Sequence, residues 1–417
     1  MTPGQRLAYG LLGAPLAMAA LPVYIHTPKL YGDELGLGLA LTGAILLASR
    51  ALDTLQDPWL GRLADLMQRQ RRGRALLAAV AAAILVLAYA ALFNPPEMLQ
   101  WQLAVWFGAA LVLVYTAHST LNITYLAWGA NASRDSHERA RLVAFREGFG
   151  LFGVILASLL PMLFSYWFQG ISRWLPYSLV FALFLLLAVW LLLRQFPLPA
   201  SHPLHARGLL RPLRLSPFRR LATLFLLNGL AVAIAATLAL FYIADVLKLE
   251  AYSGLFLAAY FVSGALSLPI WLRLSRRFGK SLTWAVGTLA AVVGFVWAVQ
   301  LGANDLIPYL LICLLSGAAL GADLALPAAI AADIIPEEDR GNTGSYFGIW
   351  SLINKGVLAL AAGLGLPLLA GLGYQPGGDG GLTALAIIYA GIPCLIKLLS
   401  AALLIRWRRS LEVHYAV

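Results

Sequence analysis

The chain has 417 residues, of which 61% are hydrophobic and only 12% are charged. Its mean hydropathy of +0.79 excludes an ordinary soluble domain, in which charged residues make up roughly 25% of the chain. The formal charge is +11, but the basic residues lie in short tracts between long apolar segments. This pattern indicates membrane topology and excludes a nucleic-acid-binding surface.

Twelve apolar segments are long enough to cross a bilayer core about 30 Å thick, which needs about 20 helical residues. In chain order they lie near residues 8–26, 38–62, 75–94, 101–128, 142–166, 176–195, 218–245, 252–273, 282–302, 307–333, 344–370 and 383–405. Basic tracts follow the second, fourth, sixth, eighth and twelfth segments. Because lysine and arginine concentrate in cytoplasmic loops, we expect both termini in the cytoplasm.

A proline-rich polar stretch divides these segments six and six. We therefore predict an all-α integral membrane protein with an N-terminal six-helix bundle over 1–195, a cytoplasmic linker over 196–217 and a C-terminal bundle over 218–417. The halves echo each other, since the second segment ends near Pro58-Trp59-Leu60 and the eighth near Pro269-Ile270-Trp271-Leu272. The echo predicts two pseudo-symmetric bundles.

Three ionisable side chains interrupt the second segment. Arg50, Asp53 and Asp57 are spaced by three and four residues, so a helix places them on one face. A charge within a bilayer costs a few kcal/mol and marks a functional position more often than a packing one. A buried pair of Arg50 with Asp53 that merely fixes packing is the alternative, but it leaves the second carboxylate unexplained.

The fourth segment adds the polar residues His118, Ser119, Thr120 and Asn122. Oxygen ligands from the two aspartates, Asn122 and a hydroxyl would suit a hard cation such as sodium, whereas a proton needs only one carboxylate that can take it up. His118 is the other candidate proton carrier.

The second half contributes Asp323, Lys355 and Lys397 within predicted spans. We expect Lys355 to face a cavity because it lies too far from either end of its span to reach water. Asp323 is expected to contact solute, Lys355 or a coupling proton. Leaving Lys397 aside, three carboxylates face two cations, so one bound cation would balance the charges. If Lys397 is included, three cations balance the three carboxylates without a bound ion.

Several motifs resemble those of a known transporter class. Gly61, Leu63, Ala64 and Asp65 resemble the loop after the second span in the major facilitator superfamily. The stretch Arg50 to Pro58 resembles the signature of its glycoside-pentoside-hexuronide:cation symporter family. Further similar motifs are Asp135 to Leu142 with Arg146, Ala332-Asp333, and Asn354-Lys355-Gly356.

This resemblance implies the major facilitator fold, a monomer, and alternating access to a site near the bilayer midplane. It makes Asp53 and Asp57 cation ligands, Arg50 an organiser of their charges, and Lys355 a residue that couples the half-domains. It implies sodium or a proton as coupling ion and no cofactor. The cytoplasmic gate loops would comprise Gly61, Asp65, Arg72, Asp135, Glu138, Arg139 and Arg146.

The resemblance implies cation-coupled symport of a small organic solute, with a sugar or glycoside as the first substrate class. Melibiose-type members use acidic residues in spans one and four, whereas this chain has no acid in span one and Asn122 in span four. A charge-free first span fits a largely apolar cavity for a lysolipid or other amphipath equally well. The residues expected to flank either solute are Tyr24, Tyr125, Trp128, Phe149, Trp350 and Lys397.

Two other classes are weighed. A passive facilitator or channel fits the same topology. An enzyme would need a nucleophile and base or a metal site, and the six histidines are scattered without ligand spacing apart from His202 and His205 in the linker. We therefore expect a transporter of the bacterial inner membrane, with no metal beyond a possible sodium ion. An interfacial aromatic belt is predicted from residues near span ends: Trp101, Trp128, Trp167, Trp174, Tyr177 and Trp284.

Overall fold

The computed structural model describes residues 1–67, 71–168, 170–197, 208–374, 377–378 and 380–412, and no strand occurs among them. Positions 198–207 of the predicted linker lie outside the described residues. Twelve long helical segments follow in chain order: α1 (Pro3–Glu34), α2 (Leu39–Met67), α3 (Arg71–Phe93), α4 (Gln100–Asn131), α5 (Ser136–Ser165), α6 (Trp174–Gln195), α7 (Ser216–Val246), α8 (Glu250–Phe278), α9 (Lys280–Val299), α10 (Leu306–Asp333), α11 (Thr343–Gly371) and α12 (Leu382–Leu411).

Ten of these segments are, by length and composition within the described residues, apolar enough to cross a membrane. The predicted coupling charges Arg50, Asp53 and Asp57 lie on α2, and Lys355 lies on α11. Charged residues in a spanning helix face the interior of a bundle rather than lipid. We therefore expect these four side chains to face the interior of the bundles.

The chain forms two compact units. Unit 1 comprises Met1–Pro212 and Ile335–Leu352, and unit 2 comprises Leu213–Ile334 and Ile353–Val417. In unit 1, α2 and α3 both pack on α4, and α3 also packs on α6. In unit 2 the equivalent helices repeat this pattern, since α8 and α9 pack on α10, and α9 packs on α12. The structure therefore confirms the two pseudo-symmetric helical bundles that the sequence echo predicted.

The repeat extends to one irregular turn. Each of α1 and α7 ends in a π-helical turn, Leu30–Glu34 and Tyr242–Val246. In the first, the Leu35 amide donates to the Leu30 carbonyl at 2.8 Å, and in the second the Leu247 amide donates to the Tyr242 carbonyl at 3.1 Å. The next residue has a positive φ in both units, 70° at Gly36 and 56° at Lys248. The same local structure therefore closes the first helix of each bundle.

Close helix contacts in unit 2 depend on glycine. A Cβ added to Gly317 of α10 would lie 2.3 Å from the backbone oxygen of Tyr260 in α8. No real Cβ tolerates that distance, so only glycine allows these two backbones to approach.

The aromatic belt is only partly confirmed. Trp101 and Trp167 are 66% and 72% exposed, as interfacial residues should be. Trp128, Trp174, Tyr177 and Trp284 are buried instead. A position near a span end does not distinguish a tryptophan that faces lipid from one that packs within the bundle.

Candidate functional site

A pair of buried carboxylates lies on α2 in unit 1. Asp53 is 6% exposed and Asp57 is fully buried, on the same face of the helix because four residues separate them. The Ser119 hydroxyl of α4 donates to Asp53 Oδ1 at 2.9 Å, and Gln56 Nε2 approaches the same oxygen at 3.5 Å. The packing of α2 on α4 therefore brings the predicted cation ligands Ser119 and Asp53 into contact, one helical turn from Asp57.

Arg50 lies one turn from this pair and contacts aromatic rings. Its guanidinium carbon is 5.3 Å from the ring centroid of Tyr24 and 6.0 Å from that of Tyr115. Such cation–π contacts hold an arginine in place without neutralising its charge. Tyr24 is otherwise 66% exposed, and Tyr115 was not predicted from the sequence.

Two other polar residues of α4 have different contacts. Thr120 donates to the backbone oxygen of Thr116 at 2.7 Å, within its own helix. His118 Nε2 lies 3.2 Å from the backbone oxygen of Leu16 in α1. These contacts give each side chain a structural hydrogen bond in addition to any part in ion coupling, which stays a prediction.

A second polar cluster of unit 1 surrounds Arg146. Its guanidinium pairs with Glu147, donates to Asn122 Oδ1 at 3.1 Å, and lies 5.9 Å from the ring of Tyr125. The expectation that Arg146 belongs to a gate loop is corrected, because it lies inside α5. The amide oxygen of Asn122 accepts from this arginine, so the geometry places Asn122 in the Arg146 cluster, and its part as a cation ligand stays a prediction.

Most of the predicted aromatic contacts are packing residues. Tyr125 and Trp128 are each 1% exposed, within the hydrophobic core of unit 1. Phe149 packs against Gly10 of α1, and Trp350 is 6% exposed. Tyr125 and Trp128 therefore offer no open face to a solute in this structure.

The predicted gate residue Asp65 lies near the end of α2, and its side chain contacts the first turn of α11. Its carboxylate accepts from the backbone amides of Gly344 at 2.6 Å and Ser345 at 2.8 Å, and from the Ser345 hydroxyl. A carboxylate in this position caps the helix and opposes its positive dipole end. A Cβ on Gly61 would lie 2.3 Å from the Gly344 oxygen. Glycine at this position therefore lets the backbones of α2 and α11 come close enough for Asp65 to cap α11.

Within unit 1, further contacts join the segment before α11 to the end of α4. Arg340 Nη1 donates to the Ala130 oxygen at the end of α4 at 3.1 Å, and Asn131 Nδ2 donates to the Arg340 oxygen at the same distance. Tyr346 donates to Asp339 Oδ2 at 2.7 Å. No sequence motif marked these residues, although two charged residues beside a span end were a signal available to find them.

The predicted loop after α4 turns out to be a helix start. Asp135 caps α5 by accepting from the His137 amide at 2.9 Å. Glu138 receives two bonds from Arg6, at 2.6 and 3.0 Å, and Arg139 donates to the Ser133 oxygen at 2.7 Å. Helix capping therefore explains Asp135, whereas Glu138 forms an ion pair with Arg6 of α1. Arg72 is exposed near the start of α3.

Unit 2 holds a buried ion pair with neutral donors around it. Lys397 Nζ lies 2.9 Å from Asp323 Oδ2 and 2.7 Å from Asn228 Oδ1. Asp323 Oδ1 also accepts from Asn228 Nδ2 and from Trp284 Nε1, both at 2.8 Å. The partner found for Asp323 is thus Lys397, and Lys355 lies half-buried on α11. Asn228 was missed, although a polar residue within an apolar span is a readable signal.

This pair lies at the wall of a cavity confined to unit 2. The cavity has a volume of about 310 Å³ and is lined mainly by alanine, aliphatic and aromatic side chains of α7, α8, α9, α10 and α12. Among the described residues, no group of three histidine, cysteine or acidic side chains is placed to hold a metal ion. A mostly apolar cavity with a few convergent polar groups is the usual form of a binding site for an organic molecule.

Two repeated helical bundles, buried intramembrane charges and an internal cavity are typical of membrane transport proteins. The chain matches the MFS/sugar transport protein family over residues 7–409, and it belongs to that family.

Individual relatives are distant. An inner membrane symporter of Escherichia coli is 27% identical over 38% of this chain and 34% of its own length, so the chain spans about a third of that bacterial symporter. The sodium-dependent lysophosphatidylcholine symporter 1 of Gallus gallus is 22% identical over 90% of this chain and 80% of its own length. Among solved structures, a bacterial homologue of the iron transporter ferroportin in an outward-facing state is similar in fold, with a TM-score of 0.76 and 17% identity over 98% of this chain and all of that one.

Proposed function

We propose that this protein is a secondary active transporter that couples uptake of a small organic solute to a cation by alternating access. The observation that carries the proposal is the pair of buried carboxylates, Asp53 and Asp57, on one face of α2. Two buried acids in a membrane helix are expensive unless a cation, a proton or a network of donors stabilises them. Ser119 supplies one further oxygen beside them.

The coupling ion is sodium or a proton. Two carboxylates and a hydroxyl offer a hard cation several oxygen ligands, whereas a proton needs one of the carboxylates alone. We also propose that the protein resides in the bacterial inner membrane as a monomer with both termini in the cytoplasm. The basic tracts after even-numbered helices and the inner membrane location in the name of one relative support this placement.

The first substrate class is a sugar or glycoside, supported by the description of the family. The second is a lysolipid or other amphipath. Two observations favour the second class: the lysophosphatidylcholine symporter aligns with nearly the whole chain, and the cavity of unit 2 has mostly apolar walls.

Uptake into proteoliposomes tests the coupling. Candidate solutes are supplied with an inward sodium gradient, an inward proton gradient or neither, and accumulation is measured. We expect Asp57→Asn and Asp53→Asn to abolish cation-dependent accumulation, because each removes one charge from the proposed site. Asp33→Asn, which changes an exposed carboxylate at the end of α1, is the control and should transport like the unaltered protein.

Each result of this experiment has a definite meaning. Dependence on sodium or on protons identifies the ion. Uptake that equilibrates without accumulation under any gradient would show a passive facilitator and overturn the proposal. Unchanged coupling in both aspartate variants would place the cation site elsewhere.

A further inference from the structure

The cavity of unit 2 has one apolar region and one polar end. From α7, Ala231, Ala235 and Ala239 repeat every fourth residue, so small side chains leave open space along one face of that helix. Phe256 and Phe295 line the cavity from neighbouring helices. Apolar walls of this kind favour an apolar molecule, because the burial of each methylene group away from water is favourable.

Three hydroxyl groups that line the cavity already have hydrogen-bond partners. Tyr309 and Tyr389 share a hydrogen bond of 2.7 Å between their hydroxyls, and Ser316 donates to the Ile312 backbone oxygen at 2.6 Å. A sugar bound here would leave most of its hydroxyls without partners, at about 1–3 kcal/mol each. The apolar region therefore disfavours a polyhydroxylated solute.

The polar end carries no net charge. Asp323 accepts from Lys397, Asn228 and Trp284, so its carboxylate is held by three donors. The Lys397 ammonium has three hydrogens, and its two bonds to Asp323 and Asn228 use two of them. One N–H is left for a ligand acceptor, beside a pair of charges that already balance.

We propose that this cavity binds the hydrocarbon chain of a single-chain amphipath of zero net charge, whose polar group accepts a hydrogen bond from Lys397. A ligand with a net negative charge would add an unbalanced charge to an apolar, weakly solvated site, which is strongly disfavoured. The identification of this amphipath as the transported solute rests on the proposed function, whereas its binding does not.

The volume sets a chain length. A methylene group occupies about as much space as a water molecule, whose share of liquid volume is ~30 Å³, so about 310 Å³ holds on the order of ten chain carbons. Affinity should rise about fourfold per methylene up to that length and then stop rising. Partition into a bilayer shows no such limit, which separates site binding from membrane adsorption.

The test uses the full chain in nanodiscs. Radiolabelled lysophosphatidylcholine of intermediate chain length is displaced by lysophosphatidylcholines with chains of about six to fourteen carbons, with free concentrations corrected for partition. We expect affinity to plateau near ten carbons. Lysophosphatidic acid of matched chain, which is anionic, should bind at least tenfold more weakly than the zwitterion.

Two variants report on the two ends of the cavity. Ala235→Phe fills the apolar region and should move the plateau to shorter chains, whereas Ala258→Phe, an exposed position on α8 that does not line the cavity, should leave it unchanged. Lys397→Met leaves the charge of Asp323 unbalanced and should reverse the preference toward an alkyltrimethylammonium of the same chain. If Lys397→Met does not fold, the comparison of Ala235→Phe with Ala258→Phe still tests whether the hydrocarbon chain binds in this cavity.

The outcomes separate this inference from symport. A continuous rise of affinity with chain length, or a plateau that Ala235→Phe does not move, overturns the cavity assignment even if cation-driven sugar uptake is found. A plateau that Ala235→Phe shortens supports the assignment even if uptake proves independent of cations. Equal binding of the zwitterion and the anion contradicts the charge argument.

Discussion

The buried pair of Lys397 and Asp323 gives the sharpest energetic prediction. Both side chains are 10% exposed and lie 2.9 Å apart. Removal of one member of a buried pair strands the other charge and typically costs about 3–5 kcal/mol. We expect Lys397→Met and Asp323→Leu each to lower the free energy of unfolding by about 3 kcal/mol or more, because the remaining charge keeps only neutral hydrogen-bonding partners.

The double variant should lose much less than the two single variants together. With both charges absent, the remaining cost is the loss of hydrogen bonds to Asn228 and Trp284, about 1–1.5 kcal/mol each. A double-mutant cycle should therefore show a coupling energy of roughly 3 kcal/mol. SDS-driven unfolding in mixed micelles measures each free energy. A coupling below about 0.5 kcal/mol would refute the reasoning, since water would then already solvate both charges.

Three further changes test the packing of unit 1. Asp65→Ala removes the cap of α11 and should cost about 1–2 kcal/mol in the same unfolding assay, with Asp65→Asn retaining part of it; equal losses would show that a neutral acceptor contributes nothing. Gly344→Ala places a Cβ 2.5 Å from the Gly61 oxygen and should destabilise, whereas Gly356→Ala on the same helix meets no atom within 4 Å and should be neutral or stabilising; identical effects would contradict the close approach. Asn122→Leu should destabilise by about 1–3 kcal/mol by removing the Arg146 contact, without weakening cation binding measured by calorimetry; a large loss of cation affinity would restore Asn122 as a ligand.

The sequence predicted features that depend on residues close together in the chain. Twelve helices, two bundles and the shared face of Asp53 and Asp57 all follow from hydropathy and helical periodicity. Ser119 was correctly associated with this face because α2 and α4 are neighbours in the superfamily fold. The capping role of Asp135 was also within reach, since an aspartate before a helix is a standard start signal.

Contacts between distant helices were not predictable in the same way. Lys397 and Asp323 belong to separate helices whose rotation about their own axes hydropathy does not fix, so Lys355 was an equally reasonable partner. Asn122 shows the same limit, because its oxygen accepts from Arg146 of the next helix, a contact that hydropathy did not indicate. Trp284 was assigned to the membrane–water interface by its position in the sequence, whereas it is buried and its indole N–H donates to Asp323.

The matched π-helical turns of α1 and α7 are consistent with an internal duplication of the chain. A π-helical turn arises readily from insertion of a single residue into an α-helix, and the two turns share their hydrogen bonds, the following positive φ and an aspartate at the same place, Asp33 and Asp245. The halves of such transporters are internal repeats, so one insertion before the duplication explains both turns, whereas two independent insertions would have had to strike the same position. Lys248 occupies a position whose left-handed backbone favours glycine, the residue at the equivalent Gly36 of the other half. The two halves therefore differ in sequence here while the backbone conformation is shared.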